Sequence, residues 1–132
     1  MPSTAPRILI VDDDQITLDT YARVLRLTNY DVVTAVSAEA GHHEVDLRRP
    51  EAILLDLRMP GSDGLEFLRR LRARGDTAKT PVAIVTGDYL LNDVTTPAQL
   101  AELGARVYFK PLWLEELSSA IQELLKTTGA GT

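Results

Sequence analysis

The sequence predicts a doubly wound α/β domain built on a five-stranded parallel sheet, and three observations carry that prediction. The first is a set of short, unbroken apolar runs, among them Ile8-Leu9-Ile10-Val11, Ala52-Ile53-Leu54-Leu55 and Val82-Ala83-Ile84-Val85. They are too short for helix cores and do not alternate with polar residues, so they read as strands buried on both faces. The second is that stretches of helical periodicity separate these runs. Strands alternating with helices imply a parallel sheet covered on both faces, with right-handed crossovers. The third is that strand ends carry polar groups: Asp12-Asp13-Asp14, Asp56, Thr86 and Lys110. All fall on the carboxyl edge of such a sheet, where open α/β sheets place their ligand sites.

The bulk properties are compatible with this class. A chain of 132 residues suits one domain and can bury a real core. The ordered core is expected over about 7–126, with short tails at 1–6 and 127–132. Hydrophobic content of 45% and charged content of 25% are ordinary for a soluble globular protein. The net charge of −5 argues against general nucleic-acid or anionic-membrane binding. With no cysteine there is no disulfide, thiol nucleophile or thiolate metal site. No apolar run approaches the ~20 residues that span a bilayer, and Met1 to Pro6 lacks the apolar segment of a signal peptide. A cytoplasmic protein is the default expectation.

The first strand covers about Arg7–Val11. After the acids, Ile16, Leu18, Tyr21, Val24, Leu25 and Thr28 recur at helical spacing, and Asn29 closes that helix. Asp31–Val36 is a β-branched run. Ser37 caps a second helix, with Glu39 in its first turn, and the helix ends by Arg49 because the residue before Pro50 is pushed away from helical geometry. The third strand, from Ala52, delivers Asp56. A Pro- and Gly-rich loop, Leu57 to Gly64, leads to a third helix marked by Leu65, Phe67, Leu68 and Leu71. Arg69, Arg70, Arg72 and Arg74 form its outer face, and Gly75 stops it. The fourth strand is Pro81–Thr86. Pro97 is expected to open a short fourth helix, Ala98–Leu103, ended by Gly104. Arg106–Phe109 is the fifth strand. Trp113, Leu114, Leu117, Ile121, Leu124 and Leu125 define a last amphipathic helix, with Trp113 expected mostly in the core.

The acids invite two readings. Asp is a good N-cap and favours the first turn of a helix. Yet neighbouring carboxylates repel, and such a cluster usually implies a cation; oxygen-only ligands favour Mg²⁺, Mn²⁺ or Ca²⁺ over zinc. Asp12, Asp13 and Asp56 sum to about −3, which one divalent cation and Lys110 would roughly balance. A carboxylate held beside such a cation and an ammonium can act as a nucleophile toward phosphorus, with both cations stabilising charge on the transferring group. Thr86 can hydrogen-bond an oxygen of that group once it is attached.

These motifs together resemble the receiver domain of two-component response regulators, the CheY-like family. The resemblance rests on Val11-Asp12-Asp13, on Asp56-Leu57-Arg58-Met59-Pro60-Gly61 with Asp63-Gly64, on Val85-Thr86-Gly87 and on Lys110-Pro111. It covers about 7–126 and implies a flavodoxin-like sheet of order 2-1-3-4-5 with five helices. By resemblance, Asp56 is the phosphoacceptor. Asp13 and Asp56 ligate Mg²⁺ directly (Mn²⁺ can substitute), Asp12 acts mainly through water, and the Arg58 backbone carbonyl completes the protein ligands. Lys110 contacts the phosphoryl group, Thr86 is the switch hydroxyl, and Lys110-Pro111 is expected to be cis, since X–Pro bonds alone adopt that form cheaply. The phosphoryl donor would be a histidine kinase or phosphotransfer protein, docking on the first-helix face that bears Ile16. The output would be a downstream partner or homodimer, bound through the surface of the fourth helix, fifth strand and last helix.

The match departs from the family in three places. The aromatic switch position, three before the lysine, holds Val107, while counting from Gly104 puts Tyr108 there; a one-residue shift reverses the face of a strand. The Thr86–Gly104 segment is about three residues longer than is usual, and Tyr89-Leu90-Leu91 within it is expected to form a semi-exposed apolar patch; the exposed fringe of Trp113 and the last helix, with Tyr108 and Tyr89, is expected to form a partner or dimer surface. Arg58 and Asp88 are expected to flank the mouth of the site, paired across it or facing solvent. Two rivals stay open. One is a receiver-like interaction module that is never phosphorylated. The other is a Mg²⁺-dependent aspartyl phosphohydrolase, although Asp56-Leu57-Arg58 lacks the Asp-x-Asp pattern usual in such enzymes. A conventional enzyme is not expected. His42-His43 makes a poor metal site because adjacent helical residues do not share a face. With no effector domain expected after the last helix, the output is expected to be a protein contact, unless the sequence is part of a longer chain.

Overall fold

The computed structural model describes residues 5–59, 62–87 and 95–129, and for 58–59, 62–63, 95–97 and 127–129 the backbone alone. Five parallel strands form the sheet: β1 (Arg7–Val11), β2 (Asp31–Ala35), β3 (Ala52–Leu55), β4 (Val82–Thr86) and β5 (Arg106–Phe109). Their spatial order is 2-1-3-4-5. Five helices alternate with them: α1 (Gln15–Leu27), α2 (Ala38–Leu47), α3 (Gly64–Ala73), α4 (Thr95–Glu102) and α5 (Leu114–Gly129).

The apolar runs are unbroken because each strand feeds two cores. Ile8 and Ile10 of β1 face α1 and α5, joining Leu18, Leu25, Ile121 and Leu124. Leu9 and Val11 point the other way, to Val45 of α2, Phe67, Leu68 and Leu71 of α3, and Leu100 of α4. The same alternation runs through β3 and β4. Burial of each such aliphatic side chain contributes roughly 1.5–3 kcal/mol.

Local signals behave as their chemistry requires. Ser37 caps α2 by accepting the Ala40 N–H at 3.1 Å. Asn29 and Gly104, which end α1 and α4, both have φ of 71°, the left-handed conformation that Gly and Asn tolerate best. Asp14 is the N-cap of α1, and its Oδ2 accepts the Thr17 hydroxyl at 2.6 Å. Thus one of the three consecutive acids serves the helix, and capping does not account for the other two.

Several expectations are corrected. The 57–64 loop contains a two-residue antiparallel ladder, Arg58–Met59 with Ser62–Asp63. Helix α4 begins two residues before Pro97, which its first turn accommodates. Helix α5 runs on to Gly129, past the expected start of the tail. Trp113 is not core but 70% exposed, because it precedes α5 rather than lying on its buried face. Arg72 does not sit on a solvated face with Arg69 and Arg70. Its guanidinium donates to the carbonyls of Leu103 (2.7 Å), Thr80 (2.7 Å) and Thr77 (3.3 Å), stapling the end of α3 to the end of α4. No helix among the described residues is long and apolar enough to cross a membrane.

Candidate functional site: an acidic cluster bridged by a lysine

The carboxyl edge of the sheet assembles the site, and the backbone ladder does the positioning. It runs one rung beyond the strands. The Asp12 N–H reaches the Ala35 carbonyl at 3.0 Å and the Asp56 N–H reaches Val11 at 2.9 Å. Lys110 N–H reaches Thr86 at 2.8 Å. Asp12, Asp56 and Lys110 are therefore each held by the neighbouring strand through their own backbone.

Asp12 and Asp56 are buried, whereas Asp13 is exposed. Carboxylate oxygens of the three lie within 4.8 Å of one another. Both Asp12 oxygens accept hydrogen bonds, Oδ1 from the Asp14 N–H at 2.9 Å and Oδ2 from Lys110 Nζ at 2.7 Å. The same ammonium lies 3.6 Å from Asp56 Oδ2. Burial works against the Lys110 charge, but the Asp12 hydrogen bond and the Asp12 and Asp56 charges outweigh it and hold its pKa above that of a free lysine. Lys110 thus neutralises one of three clustered negative charges and leaves a net deficit that a divalent cation matches. The donor set of three carboxylates with no nitrogen or sulfur suits a hard cation that keeps water in part of its shell.

The turn after Asp56 is sealed by Gly64. Its N–H donates to the Leu57 carbonyl at 3.0 Å. A Cβ at Gly64 would lie 2.5 Å from the Asp56 carbonyl oxygen and 2.8 Å from Leu57 Cα. Only glycine lets α3 start this close to the acid-bearing strand end.

Thr86 is buried at the end of β4, on the face that Val82 and Ile84 share with α3 and α4. Val107 packs on that same face, whereas Tyr108 packs against the α1–α5 core. The structure therefore puts Val107 with Thr86 and Tyr108 on the opposite side of β5. There Tyr108 lines a shallow groove with Glu115, Glu116, Ser119 and Glu123 of α5. Phe109, in register with Thr86, is 40% exposed. Lys110-Pro111 is cis. The Arg58 side chain, Asp88 and Tyr89-Leu90-Leu91 lie outside the described residues, as does any Arg58–Asp88 pairing. Ile16, at the start of α1, is 76% exposed.

Helical periodicity alone assigns Tyr21 to the core face of α1. In the structure its hydroxyl accepts the Leu112 N–H at 3.4 Å, two residues beyond Lys110. The available signal was a hydroxyl-bearing aromatic on an otherwise aliphatic face.

Comparison with known proteins agrees with this architecture. A family model for the response regulator receiver domain matches residues 8–122. The chain is 35% identical over 128 residues to the transcriptional regulatory protein PrrA of Mycobacterium tuberculosis, covering 96% of this chain and 53% of that protein. It is 36% identical to the DNA-binding dual master transcriptional regulator RpaA of Synechocystis, covering 93% of this chain and 50% of that one. The chain thus spans about half the length of these curated relatives. Among solved structures, a CheY-like receiver domain protein from Methanospirillum hungatei superposes with a TM-score of 0.86 at 27% identity, covering 98% of this chain and 100% of that one. A sheet of order 2-1-3-4-5, an acidic carboxyl edge and a family match across most of the chain lead to one conclusion: this protein belongs to the response regulator receiver domain family.

Proposed function

We propose that this domain is a phosphorylation switch in which Asp56 accepts a phosphoryl group from a histidine kinase or phosphotransfer protein. The observation that carries the reading is the Lys110 ammonium lying between two buried carboxylates, 2.7 Å from Asp12 and 3.6 Å from Asp56. An Asp56 oxygen forms the new O–P bond as the donor's N–P bond breaks, and the departing electron pair stays on the donor imidazole, which takes up a proton. Lys110 Nζ meets the negative charge that builds on the transferring oxygens. Thr86 offers its hydroxyl to one of them. Asp13, Asp56 and the Arg58 carbonyl would hold Mg²⁺, or Mn²⁺ in its place, with Asp12 acting through water. When bound, the ion neutralises phosphoryl charge and orients the incoming group.

The added charge would then shift the Thr86 end of β4 and, through it, the surface of α4, β5 and α5, changing affinity for a downstream partner or a second copy. With Tyr108 on the α5 side, Thr86 acts on Val107 and Phe109 rather than on Tyr108.

Intact mass after incubation with acetyl phosphate and Mg²⁺ tests the reading. Gain of one phosphoryl group in the wild type, absent in Asp56→Asn and after EDTA, is the expected result. A folded protein that binds Mg²⁺ yet gains no mass would overturn it in favour of a receiver-like interaction module.

A further inference from the structure

The turn that carries Lys110 is tethered at two points. Before the lysine side chain branches off, its own N–H is fixed to the Thr86 carbonyl at 2.8 Å. The next residue, Pro111, has no N–H to offer. The following donor, Leu112 N–H, goes to the Tyr21 hydroxyl of α1 at 3.4 Å. Beyond that the chain caps α5, with Trp113 N–H on Glu116 Oε1 at 3.2 Å. Leu112 and Tyr21 are both buried, 6% and 8% exposed, so water cannot readily replace the phenol as acceptor. The ring packs among Leu18, Leu25, Leu117 and Ile121, which keeps the hydroxyl in place. The Tyr21 hydroxyl also sits within electrostatic reach of Lys110 and Asp12.

We propose that Tyr21 is a positioning residue for Lys110: through Leu112 it fixes the far side of the 110–112 turn to α1 and so aims the ammonium at the gap between Asp12 and Asp56. The inference rests on the phosphoacceptor reading for its kinetic consequence, but its geometric consequence does not need it. Loss of the hydroxyl frees one end of the turn while leaving the ring in the core. Lys110 then samples positions away from the carboxylates.

Two measurements on Tyr21→Phe test this. The first is the labelling rate of each lysine by an amine-reactive acetylating reagent, mapped by mass. The chain has three lysines, so Lys79 and Lys126 serve as internal references. Lys110 is expected to react several-fold faster in Tyr21→Phe, with the other two unchanged; an unchanged Lys110 rate overturns the proposal whether or not Asp56 is ever phosphorylated. The second is the saturation kinetics of phosphorylation by acetyl phosphate. The maximal rate is expected to fall about tenfold, as small misplacements of catalytic groups do, with little change in half-saturation. In a Lys110→Ala background the same change should have no further effect, because Tyr21 acts through that lysine. Fully additive losses overturn the proposal. A wild type that takes no phosphoryl group defeats the phosphoacceptor reading instead, and the labelling result then stands alone.

Discussion

Lys110 Nζ and Asp12 Oδ2 lie 2.7 Å apart, joining residues 98 positions apart in the chain across the carboxyl edge of the sheet. The Asp12 side chain is 5% exposed and that of Lys110 24%, so the pair is partly shielded from screening by water. Removing the ammonium leaves two buried carboxylates facing each other. Lys110→Met should therefore cost about 1–3 kcal/mol in the absence of divalent ions. It should also tighten Mg²⁺ binding about tenfold, since a positive charge beside the acids repels a divalent ion held by them. Urea unfolding in EDTA, followed by Mg²⁺ titration, reads both effects. Unchanged stability together with unchanged Mg²⁺ affinity would show that the ammonium is not electrostatically coupled to the acids.

As a proposed Mg²⁺ ligand, Asp13 should separate metal binding from folding. It is exposed, unlike Asp12 and Asp56. In EDTA, Asp13→Asn should lie within about 0.5 kcal/mol of the wild type, as surface changes do. Mg²⁺ at ten to a hundred times its dissociation constant should stabilise the wild type by about 1.4–2.7 kcal/mol. Most of that increment should vanish in Asp13→Asn. Equal Mg²⁺ stabilisation of both proteins would remove Asp13 from the ligand set.

Gly64 and Gly75 bound the same helical segment but differ in what surrounds them. A methyl at Gly64 would sit 2.5 Å from the Asp56 carbonyl oxygen, and backbone cannot yield as a side-chain tip can. At Gly75 a Cβ would meet no atom of the described residues within 4 Å, its chain neighbours aside. Gly64→Ala should cost about 2–4 kcal/mol and disturb the Asp56 turn, whereas Gly75→Ala should be neutral or gain up to about 1 kcal/mol from reduced unfolded-state entropy. Urea midpoints of the two variants decide the matter; equal midpoints would contradict the packing at Gly64.

What could be read in the sequence was whatever depends on neighbours close along the chain. Ile8-Leu9-Ile10-Val11 announces a strand buried twice because composition and burial coincide there. Asp12 and Asp56 follow as strand-end groups, and Ser37 and Asn29 act within a few residues of themselves. What escaped depends on partners far along the chain. Arg72 looks like Arg69 and Arg70 until the Leu103 carbonyl, 31 residues on, arrives beside it. Tyr21 looks like core until Leu112, 91 residues on, presents an N–H. The ambiguity between Val107 and Tyr108 is one of register, which counting along a single strand leaves open and pairing with β4 resolves.

His42 offers a last, pH-dependent prediction on the opposite face of the sheet. It is 8% exposed on α2 and stacks on Phe67 of α3, ring centroids 4.2 Å apart. Its Nε2 is buried and has no hydrogen-bond partner among the described residues. Gly41 beside it permits this approach, since a Cβ there would meet Phe67 Cε2 at 2.9 Å. Burial foremost, then Arg70 and Arg74, lower the His42 pKa below 6.5, against the opposing pull of Asp46 and Glu66. The unfolded chain therefore takes up the proton first. Stability is intact above about pH 6.5, falls as the pH drops through that value, and levels off once the folded-state pKa is passed, with a slope no steeper than about 1.4 kcal/mol per pH unit. His42→Leu, which cannot be protonated, should lose less stability than the wild type between about pH 7.5 and 5.5, whatever its baseline. Urea unfolding at both pH values gives the difference. Parallel losses in the two proteins would mean that the imidazole takes up its proton without disturbing the α2–α3 contact.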